Sequence, residues 1–318
     1  MTVVVKIGTS SVTDAAGHTD RAAVQRLCAE VASVRAAGRS VVIVTSGAIT
    51  AGLPALGFER RPTDLRTLQA VAAVGQSRLM RVYDDVLAGH GLVAGQVLLA
   101  PFDFVHRQQY LHARQTLERL LELGVVPVVN ENDAVTDDEI RFGDNDRLAA
   151  LVAHLVSAEM LVLLTDTAGV LTADPRLDVE ASLIEEIVEV DHHLDLVGRG
   201  TSDRGSGGMA SKLAAAKMAS WSGVPTVIAD AARFDVLTGA LAGEPVGTLI
   251  RARDRRLPAR KLWIAFAVGS SGRLVVDKGA CAALIDRGTS LLPAGILDVQ
   301  GSFLAEAAVE VADDGGHV

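Results

Sequence analysis

The sequence predicts an α/β protein in which helices cover both faces of a mostly parallel sheet, a three-layer αβα arrangement. Strand-like apolar runs and helix-like periodic segments alternate through the first 250 residues, as is typical of βαβ units. The runs are nearly continuous, as expected of strands buried on both faces. After about residue 250 the pattern changes to short strands and glycine pairs with few helical periods.

The elements are predicted in order from these patterns. Strands are expected at residues 3–7, 41–44, 93–99, 125–129, 160–164, 224–228 and 247–250. The first helix has Val24, Leu27, Cys28, Val31 and Val34 on one face and ends at Gly38, and further helices are expected at about 64–88, 108–122, 144–156 and after Gly208. Helical spacing of apolar residues and glycine at a helix end support these assignments.

The basic segment at residues 251–261 is interpreted as a linker, which places a domain boundary near residue 255. We therefore expect a catalytic domain over residues 1–255. Residues 256–318 would form the linker and a short, incomplete β-rich tail, which is small for an independent domain.

Composition excludes several classes of protein. With 30 basic and 39 acidic residues the net charge is -9, which argues against a protein that coats nucleic acid. No apolar run approaches the roughly 18 residues of a membrane span, and no signal peptide is apparent. The two cysteines, Cys28 and Cys281, lie far apart, so neither a disulfide framework nor a zinc site is expected, and we predict a cytoplasmic location.

The most informative segment follows the strand at 125–129, where amides and carboxylates replace the apolar residues. Asn130, Asn132 and Asp133 come first, and Asp144, Asn145 and Asp146 open the next helix. Ligands of α/β proteins lie at the carboxyl ends of the strands. These side chains suit a small ligand with an ammonium group, or a ligand with a metal. Residues 137–139 are interpreted as a solvated acidic loop.

Two lysines accompany glycine-rich turns. Lys6 ends the first strand and precedes Gly8 and hydroxyl residues, which could cradle phosphate oxygens or form an ordinary turn. Lys212 follows the glycine loop at 205–208 and lies in the first turns of a helix, where a cation is disfavoured unless an anion binds there.

Three further motifs leave alternatives open. Thr45, Ser46 and Gly47 could bind an anion or simply cap a helix. Thr165 and Asp166 could meet a nucleotide or a metal, or form a turn. The segment at 191–195, with two adjacent histidines, is better interpreted as an exposed helix start than as a metal site. Two lysines, glycine loops and acids together favour phosphoryl transfer from a nucleotide with Mg²⁺.

These motifs resemble those of the amino acid kinase family over nearly the whole chain. The matching segments are residues 4–10, 44–49, 73–79, 129–135, 143–146, 163–166 and 207–212. The resemblance implies the amino acid kinase fold and an ATP-dependent phosphorylation of the γ-carboxylate of L-glutamate, the first step of proline biosynthesis. The segment at 291–303 resembles the start of a PUA domain, so the tail is expected to be PUA-like but incomplete.

The resemblance also implies residue roles. Lys6 and Lys212 would contact the transferring phosphoryl group, and Asp146 would hold both lysines. The L-glutamate site would comprise Ser46, Gly47, Asn130, Asp133 and Asn145. The ATP site would comprise Lys6, Gly8, Thr165, Asp166, Ser206, Gly207, Gly208, Met209 and Lys212. No protein ligand is assigned to a metal, since Mg²⁺ would bind mainly through the ATP phosphates.

Further expectations concern partners. The resemblance implies a homo-oligomer, feedback inhibition by proline, and functional coupling to glutamate-5-semialdehyde dehydrogenase. One alternative is a kinase of the same fold acting on acetylglutamate or carbamate, which Asp133 disfavours because its carboxylate suits a free ammonium. A second alternative is an RNA-binding module with a vestigial kinase domain. The linker arginines and the PUA-like tail favour this alternative, but the net acidity and the set of Lys6, Asp146 and Lys212 oppose it.

Overall fold

The computed structural model describes residues 1–14, 18–100, 102–135, 145–173, 178, 180–190, 208–253, 272–304 and 309–316. The chain divides into two compact units, Met1–Trp263 and Ile264–Val318.

The first unit is built on an eight-stranded sheet. Its strands are β1 (Thr2–Ile7), β2 (Ser40–Val44), β3 (Ala94–Leu99), β4 (Val126–Glu131), β5 (Met160–Thr165), β6 (Glu186–Ile187), β7 (Thr226–Asp230) and β8 (Thr248–Ile250). Their order across the sheet is β3-β4-β2-β1-β5-β7-β8-β6. Every pair is parallel except β7 with β8, which confirms the predicted mostly parallel sheet.

Helices of the first unit alternate with these strands. They are α1 (Thr9–Val12), α2 (Arg21–Ala36), α3 (Ala48–Gly52), α4 (Leu65–Gly89), α5 (Phe102–Val105), α6 (Arg107–Glu122), α7 (Asn145–Leu155), α8 (Met209–Trp221) and α9 (Val236–Ala242). The ends of the predicted helices agree with these bounds to within a few residues. Sequence patterns missed α1, α3, α5 and α9, which have four, five, four and seven residues, too few for a helical period to be evident.

Local chemistry explains where the long helices begin and end. The carboxylate of Asp20 accepts hydrogen bonds from the amides of Ala22 and Ala23 at the start of α2. The carboxylate of Asp64 does the same for Thr67 at the start of α4. Both are the side-chain caps that helix starts favour. Gly38 has φ of 79° just after α2, a left-handed conformation that glycine adopts readily.

Two glycines allow α3 and α4 to touch along their backbones. A Cβ atom on Gly75 would lie 1.7 Å from the carbonyl oxygen of Ala48, and one on Gly52 would lie 2.1 Å from that of Val71. No side chain fits at such separations, so both positions require glycine. This contact fixes α4 against the residues that follow β2.

The second unit contains a three-stranded sheet in the order β10-β9-β11. Its elements are β9 (Gly272–Val276), α10 (Lys278–Ile285), β10 (Ile296–Gly301) and β11 (Glu310–Ala312). The predicted short strands are confirmed, whereas α10, a helix of eight residues, was not predicted from the sequence. Its sequence is rich in small residues and its side chains are not deeply buried, so no apolar stripe marks it. Most of the expected linker falls at 254–271, outside the described residues.

No helix within the described ranges combines the length and the apolar character needed to cross a bilayer.

Candidate active site

Four neighbouring parallel strands bring the predicted residues to one edge of the sheet. In the order β4-β2-β1-β5, the strands carry candidate residues at their carboxyl ends. Asn130 and Lys6 are the next-to-last residues of β4 and β1, Thr45 directly follows β2, and Thr165 is the last residue of β5. Since the strands are parallel, their carboxyl ends share one edge, which is where α/β proteins bind ligands. Residues from distant parts of the sequence therefore face one region.

Asp146 lies between two lysine side chains at this edge. Its Oδ1 atom is 2.5 Å from Nζ of Lys6, and its Oδ2 atom is 3.2 Å from Nζ of Lys212. Oγ of Ser211 lies 3.2 Å from the same Oδ2 atom and 2.8 Å from the carbonyl oxygen of Gly208, and its one hydrogen is shared between these two acceptors. The side chain of Asp146 is 0% exposed, and those of Lys6 and Lys212 are 4% and 7% exposed. The cluster is thus a buried anion between two buried cations.

Burial would by itself raise the pKa of Asp146, because a carboxylate loses hydration in the interior. The charges of Lys6 and Lys212, and the hydrogen bonds they donate, outweigh burial and hold this pKa below its usual range. Asp146 is therefore ionised at neutral pH. It fixes the positions of both ammonium groups, while the three groups together keep one net positive charge.

A set of amides adjoins this cluster. Nδ2 of Asn145 lies 2.7 Å from the carbonyl oxygen of Thr45, 2.8 Å from Oδ1 of Asn130 and 2.9 Å from Oγ of Ser46, so its two hydrogens are shared among three acceptors. Asn145 is the first residue of α7 and Asn130 lies in β4. The structure thus brings together Ser46, Asn130 and Asn145, three residues of the expected substrate site.

The sequence did not lead us to predict two polar side chains of α4 that contact residues of this set. Oε1 of Gln76 on α4 accepts from Nδ2 of Asn130 at 2.8 Å. The hydroxyl of Tyr83, also on α4 and fully buried, is 2.9 Å from Oγ1 of Thr45. Burial raises the pKa of Tyr83 further above its usual range, so this hydroxyl stays neutral and able to donate. The one available signal was the 73–79 segment, which contains Gln76.

A cavity of about 250 Å³ lies beside the amides. Its lining includes Ala48, Gln76, Gln96, Glu131 and Asp133. Asp133 follows β4 and is partly exposed, so its carboxylate is accessible. A larger depression of about 360 Å³ lies along α6, and none of the candidate residues lines it.

The alternative that Thr45 or Ser46 caps a helix was wrong. The residue at the cap position of α3 is Gly47, and no side chain there bonds to the helix start. Gly47 has φ of 97°, and a Cβ atom would lie 3.2 Å from Cγ2 of Val12. Glycine is therefore required in this turn, and it leaves the Ser46 hydroxyl outside the helix.

The residues expected to bind ATP lie near the ends of β1 and β5 and at the start of α8. Leu164 pairs with Ile7, so Thr165 and Gly8 follow neighbouring strand positions. Oγ1 of Thr165 is 3.2 Å from Oδ1 of the exposed Asp166. Gly8 caps α1 and Gly208 caps α8, and neither helix start has a side-chain cap. Met209 is the first residue of α8.

Some expected positions fall outside the described residues. They are Asp144, Ser206, Gly207, the acidic loop at 137–139 and the segment at 191–195. Within the described ranges, no three His, Cys, Asp or Glu side chains converge as a metal site.

Comparison with known proteins identifies the family. The model described as the amino acid kinase family matches residues 1–230, and that of the PUA domain matches residues 272–318. The chain is 45% identical over 310 residues to glutamate 5-kinase from Pelobacter propionicus, covering 97% of this chain and 83% of that protein. It is 46% identical over 318 residues to glutamate 5-kinase from Burkholderia cenocepacia, covering 99% and 86%.

Solved structures share the fold at lower identity. Carbamate kinase from Giardia lamblia bound to AMP-PNP aligns with a TM-score of 0.58 and 16% identity, over 79% of this chain and 98% of that one. Isopentenyl phosphate kinase aligns with a TM-score of 0.55 and 22% identity, over 79% and 100%. The chain belongs to the amino acid kinase family and, within it, to the glutamate 5-kinases.

Proposed function

We propose that the chain transfers the γ-phosphoryl group of ATP to the γ-carboxylate of L-glutamate through the site formed by Lys6, Asp146 and Lys212. The product would be γ-glutamyl phosphate. The observation that carries this proposal is the buried carboxylate held between two lysine ammonium groups. Two ammonium groups with one carboxylate carry a net positive charge, which favours the binding of phosphate oxygens.

The reaction joins two anions, so charge neutralisation is the main task. A glutamate carboxylate has a reference pKa of about 4.3 and is ionised at neutral pH, so no general base is needed to activate it. Phosphoryl transfer depends mainly on positioning and electrostatic stabilisation. Lys6 and Lys212 would offset the repulsion between donor and acceptor and stabilise the charge that shifts toward the leaving oxygen.

Asp146 would act as a positioning residue for the two lysines. Both of its oxygens contact an ammonium group, so neither is suited to a metal. Its negative charge also allows two cations to be buried close together, because it screens their mutual repulsion. One net positive charge would remain for the phosphoryl group.

L-glutamate would bind at the amides and the adjoining cavity. Ser46 and Gly47 would bind a substrate carboxylate, and Asn130 and Asn145 would orient the group around it. The partly exposed carboxylate of Asp133, in the lining of the cavity, would pair with the α-ammonium group. That pairing favours a free amine over the acetylated nitrogen of acetylglutamate, since the amide carries no charge.

ATP would bind along β1, β5 and the start of α8. The uncapped amides of α8 after Gly208 offer donors for phosphate oxygens, and the helix dipole adds to their attraction. Thr165 and Asp166 would contact the nucleotide from the end of β5. Met209 would pack beside the nucleotide, and Ser206 and Gly207 would belong to the glycine loop that binds it.

Mg²⁺ fits this proposal as a companion of ATP. Mg²⁺ in kinases is commonly held by substrate phosphates, a few carboxylates and water. The lysine-paired Asp146 is a poor ligand, and the exposed Asp166 has the oxygen chemistry for an outer contact. When bound, the ion would supply further neutralisation of the phosphate charge.

The proposed function also suggests where the enzyme acts, how it assembles and how it is regulated. A cytoplasmic homo-oligomer with proline as a feedback inhibitor would suit the first step of a biosynthetic sequence. Because acyl phosphates are reactive toward water, direct coupling to glutamate-5-semialdehyde dehydrogenase would protect the product. The PUA-like tail would affect assembly or regulation and supply no catalytic group.

A coupled assay for ADP release tests the proposal. The full chain would be supplied with MgATP and, in separate reactions, L-glutamate, N-acetyl-L-glutamate, L-aspartate or carbamate. We expect turnover with L-glutamate to exceed that with every other acceptor. Faster turnover with N-acetyl-L-glutamate or carbamate would instead assign the chain a different substrate within the same fold.

A further inference from the structure

Four side-chain amides form a continuous row from β3 to the start of α7. Nε2 of Gln76 is 3.3 Å from Oε1 of Gln96, and Oε1 of Gln76 accepts from Asn130. Oδ1 of Asn130 in turn accepts from Nδ2 of Asn145. Each amide donates to the next in the same direction, so the row runs from Asn145 to Gln96.

Contacts with two backbone groups identify which atom is oxygen and which is nitrogen in Asn130 and Asn145. The amide of Glu131 donates to Oδ1 of Asn130 at 2.9 Å, so that atom must be the oxygen. The carbonyl of Thr45 accepts from Nδ2 of Asn145 at 2.7 Å, so that atom must be the nitrogen. An amide turned by 180° would place two donors or two acceptors against each other.

The direction of the row affects Ser46, which contacts Asn145, the first amide of the row. Because the amide nitrogen of Asn145 can only donate, the hydroxyl oxygen of Ser46, 2.9 Å away, faces it as an acceptor. Its hydrogen is then directed at another group. A reversed Asn145 would present its oxygen to Ser46 and engage that hydrogen. The direction of the amides therefore decides whether Ser46 can donate to a substrate carboxylate.

We propose that Gln76 is a positioning residue that, together with the two backbone groups that contact the row, holds Asn130 and Asn145 in the direction that makes Ser46 a donor to the amino-acid substrate. This inference rests on the proposed function, in which Ser46 binds a carboxylate of L-glutamate. Gln76 is 8% exposed and Asn130 is 1% exposed, so water does not readily replace the bond between them.

The fold prepares Gln76 for this role. It follows Gly75, whose missing side chain lets α4 meet the backbone of α3. The side chain of Gln76 therefore leaves a closely packed part of α4 and reaches Asn130 across 54 residues of sequence. Gln76 acts through Asn130 and Asn145 and needs no contact with the substrate.

A double-mutant cycle of Gln76→Met and Ser46→Ala tests the proposal. Methionine keeps the length of the side chain and removes both hydrogen bonds. In the otherwise wild-type enzyme, Gln76→Met should raise the KM for L-glutamate about tenfold, equivalent to about 1.4 kcal/mol, with little change in the KM for ATP. In the Ser46→Ala background the same change should raise it less than about twofold, because the donor is already absent.

A third variant completes the test. Gln96→Met removes only the hydrogen bond between Gln76 and Gln96, at an exposed position, so the variant should fold normally. It should raise the KM for L-glutamate by about twofold to threefold in the otherwise wild-type enzyme and leave it unchanged in the Ser46→Ala background. Thermal melts confirm that each variant is folded.

The outcomes distinguish a failure of the proposed function from a failure of the proposed role of Gln76. Absence of L-glutamate phosphorylation by the wild-type enzyme would overturn the proposed function and this inference with it. An active wild type with additive effects of Gln76→Met and Ser46→Ala would overturn the inference alone, since Gln76 would then act by direct substrate contact. An unchanged KM in both Gln76→Met and Gln96→Met would also overturn it.

Discussion

Replacing Asp146 with asparagine should destabilise the enzyme and impair catalysis, because it leaves two buried ammonium groups without their anion. The substitution keeps the size of the side chain and removes its charge. Asp146 is 0% exposed, and the two lysines it contacts are 4% and 7% exposed. Solvent therefore provides little compensation for the lost charge.

The geometry sets the size of the effect. At an effective dielectric constant of about 20, unit charges at the observed 2.5 Å and 3.2 Å attract by about 7 and 5 kcal/mol. Desolvation of the ions offsets much of this attraction, and removing one partner of a buried pair typically costs about 3–5 kcal/mol. At about 2 °C per kcal/mol for a domain of this size, Tm should fall by at least about 6 °C.

Thermal melts with and without MgATP provide the assay. The phosphates of ATP would supply negative charge to the two lysines, so MgATP should raise the Tm of Asp146→Asn more than that of the wild type. Ser211→Ala is the matched control, since it removes an uncharged hydroxyl group that contacts the same carboxylate. It should lower Tm by no more than about 3 °C.

A specific result would refute this reasoning. If Asp146→Asn and Ser211→Ala lowered Tm equally, and both retained wild-type turnover, the charge of Asp146 would have no part in holding the lysines. The two-lysine cluster would then be incidental to catalysis.

Four other predictions follow from the same site. Lys212→Ala should lower turnover about 100-fold with a smaller change in the KM for L-glutamate, measured by steady-state kinetics; near-normal turnover would exclude its role. Asp133→Asn should raise the KM for L-glutamate roughly tenfold to 100-fold and leave that for ATP unchanged, and the opposite pattern would reverse the two sites. Because the pKa of Asp146 is lowered in the folded state, its stabilisation is complete above the unfolded value of about 3.9 and is lost as pH falls through the folded value. The difference in unfolding free energy between wild type and Asp146→Asn should thus be constant from about pH 5 to 8 and shrink below about pH 4, and a constant difference at acid pH would contradict it. A chain ending at residue 255 should melt cooperatively and keep activity; a folded but inactive product would place a required group in the tail.

Periodic patterns predicted the elements that bury a continuous apolar surface. Helix α2 was evident because Val24, Leu27, Cys28, Val31 and Val34 recur at helical spacing, and all five are buried. The strands were evident as uninterrupted apolar runs. In contrast, α10 was missed because its small residues carry no stripe, and α3 because a five-residue helix is held by backbone contact at Gly52 and Gly75 rather than by a pattern.

The residues of the candidate site were likewise predicted only in part. Strand ends and glycine turns identified Lys6, Asn130 and Lys212 as candidates from local sequence, but their convergence depends on the order of the strands. Gln76 could not be predicted, since glutamine in a helix is ordinarily a solvated residue. Its contact with Asn130 exists only because α4 crosses α3 closely at Gly75.

Trapping of the product tests the central claim most directly. The wild-type enzyme would be incubated with MgATP, L-glutamate and hydroxylamine, which converts an acyl phosphate into a stable hydroxamate. ADP and the hydroxamate would be quantified together, and the γ- and α-isomers separated against standards. We predict γ-glutamyl hydroxamate, formed only when both ATP and L-glutamate are present and in proportion to ADP. ADP release without hydroxamate, or the α-isomer as the product, would contradict phosphorylation of the γ-carboxylate.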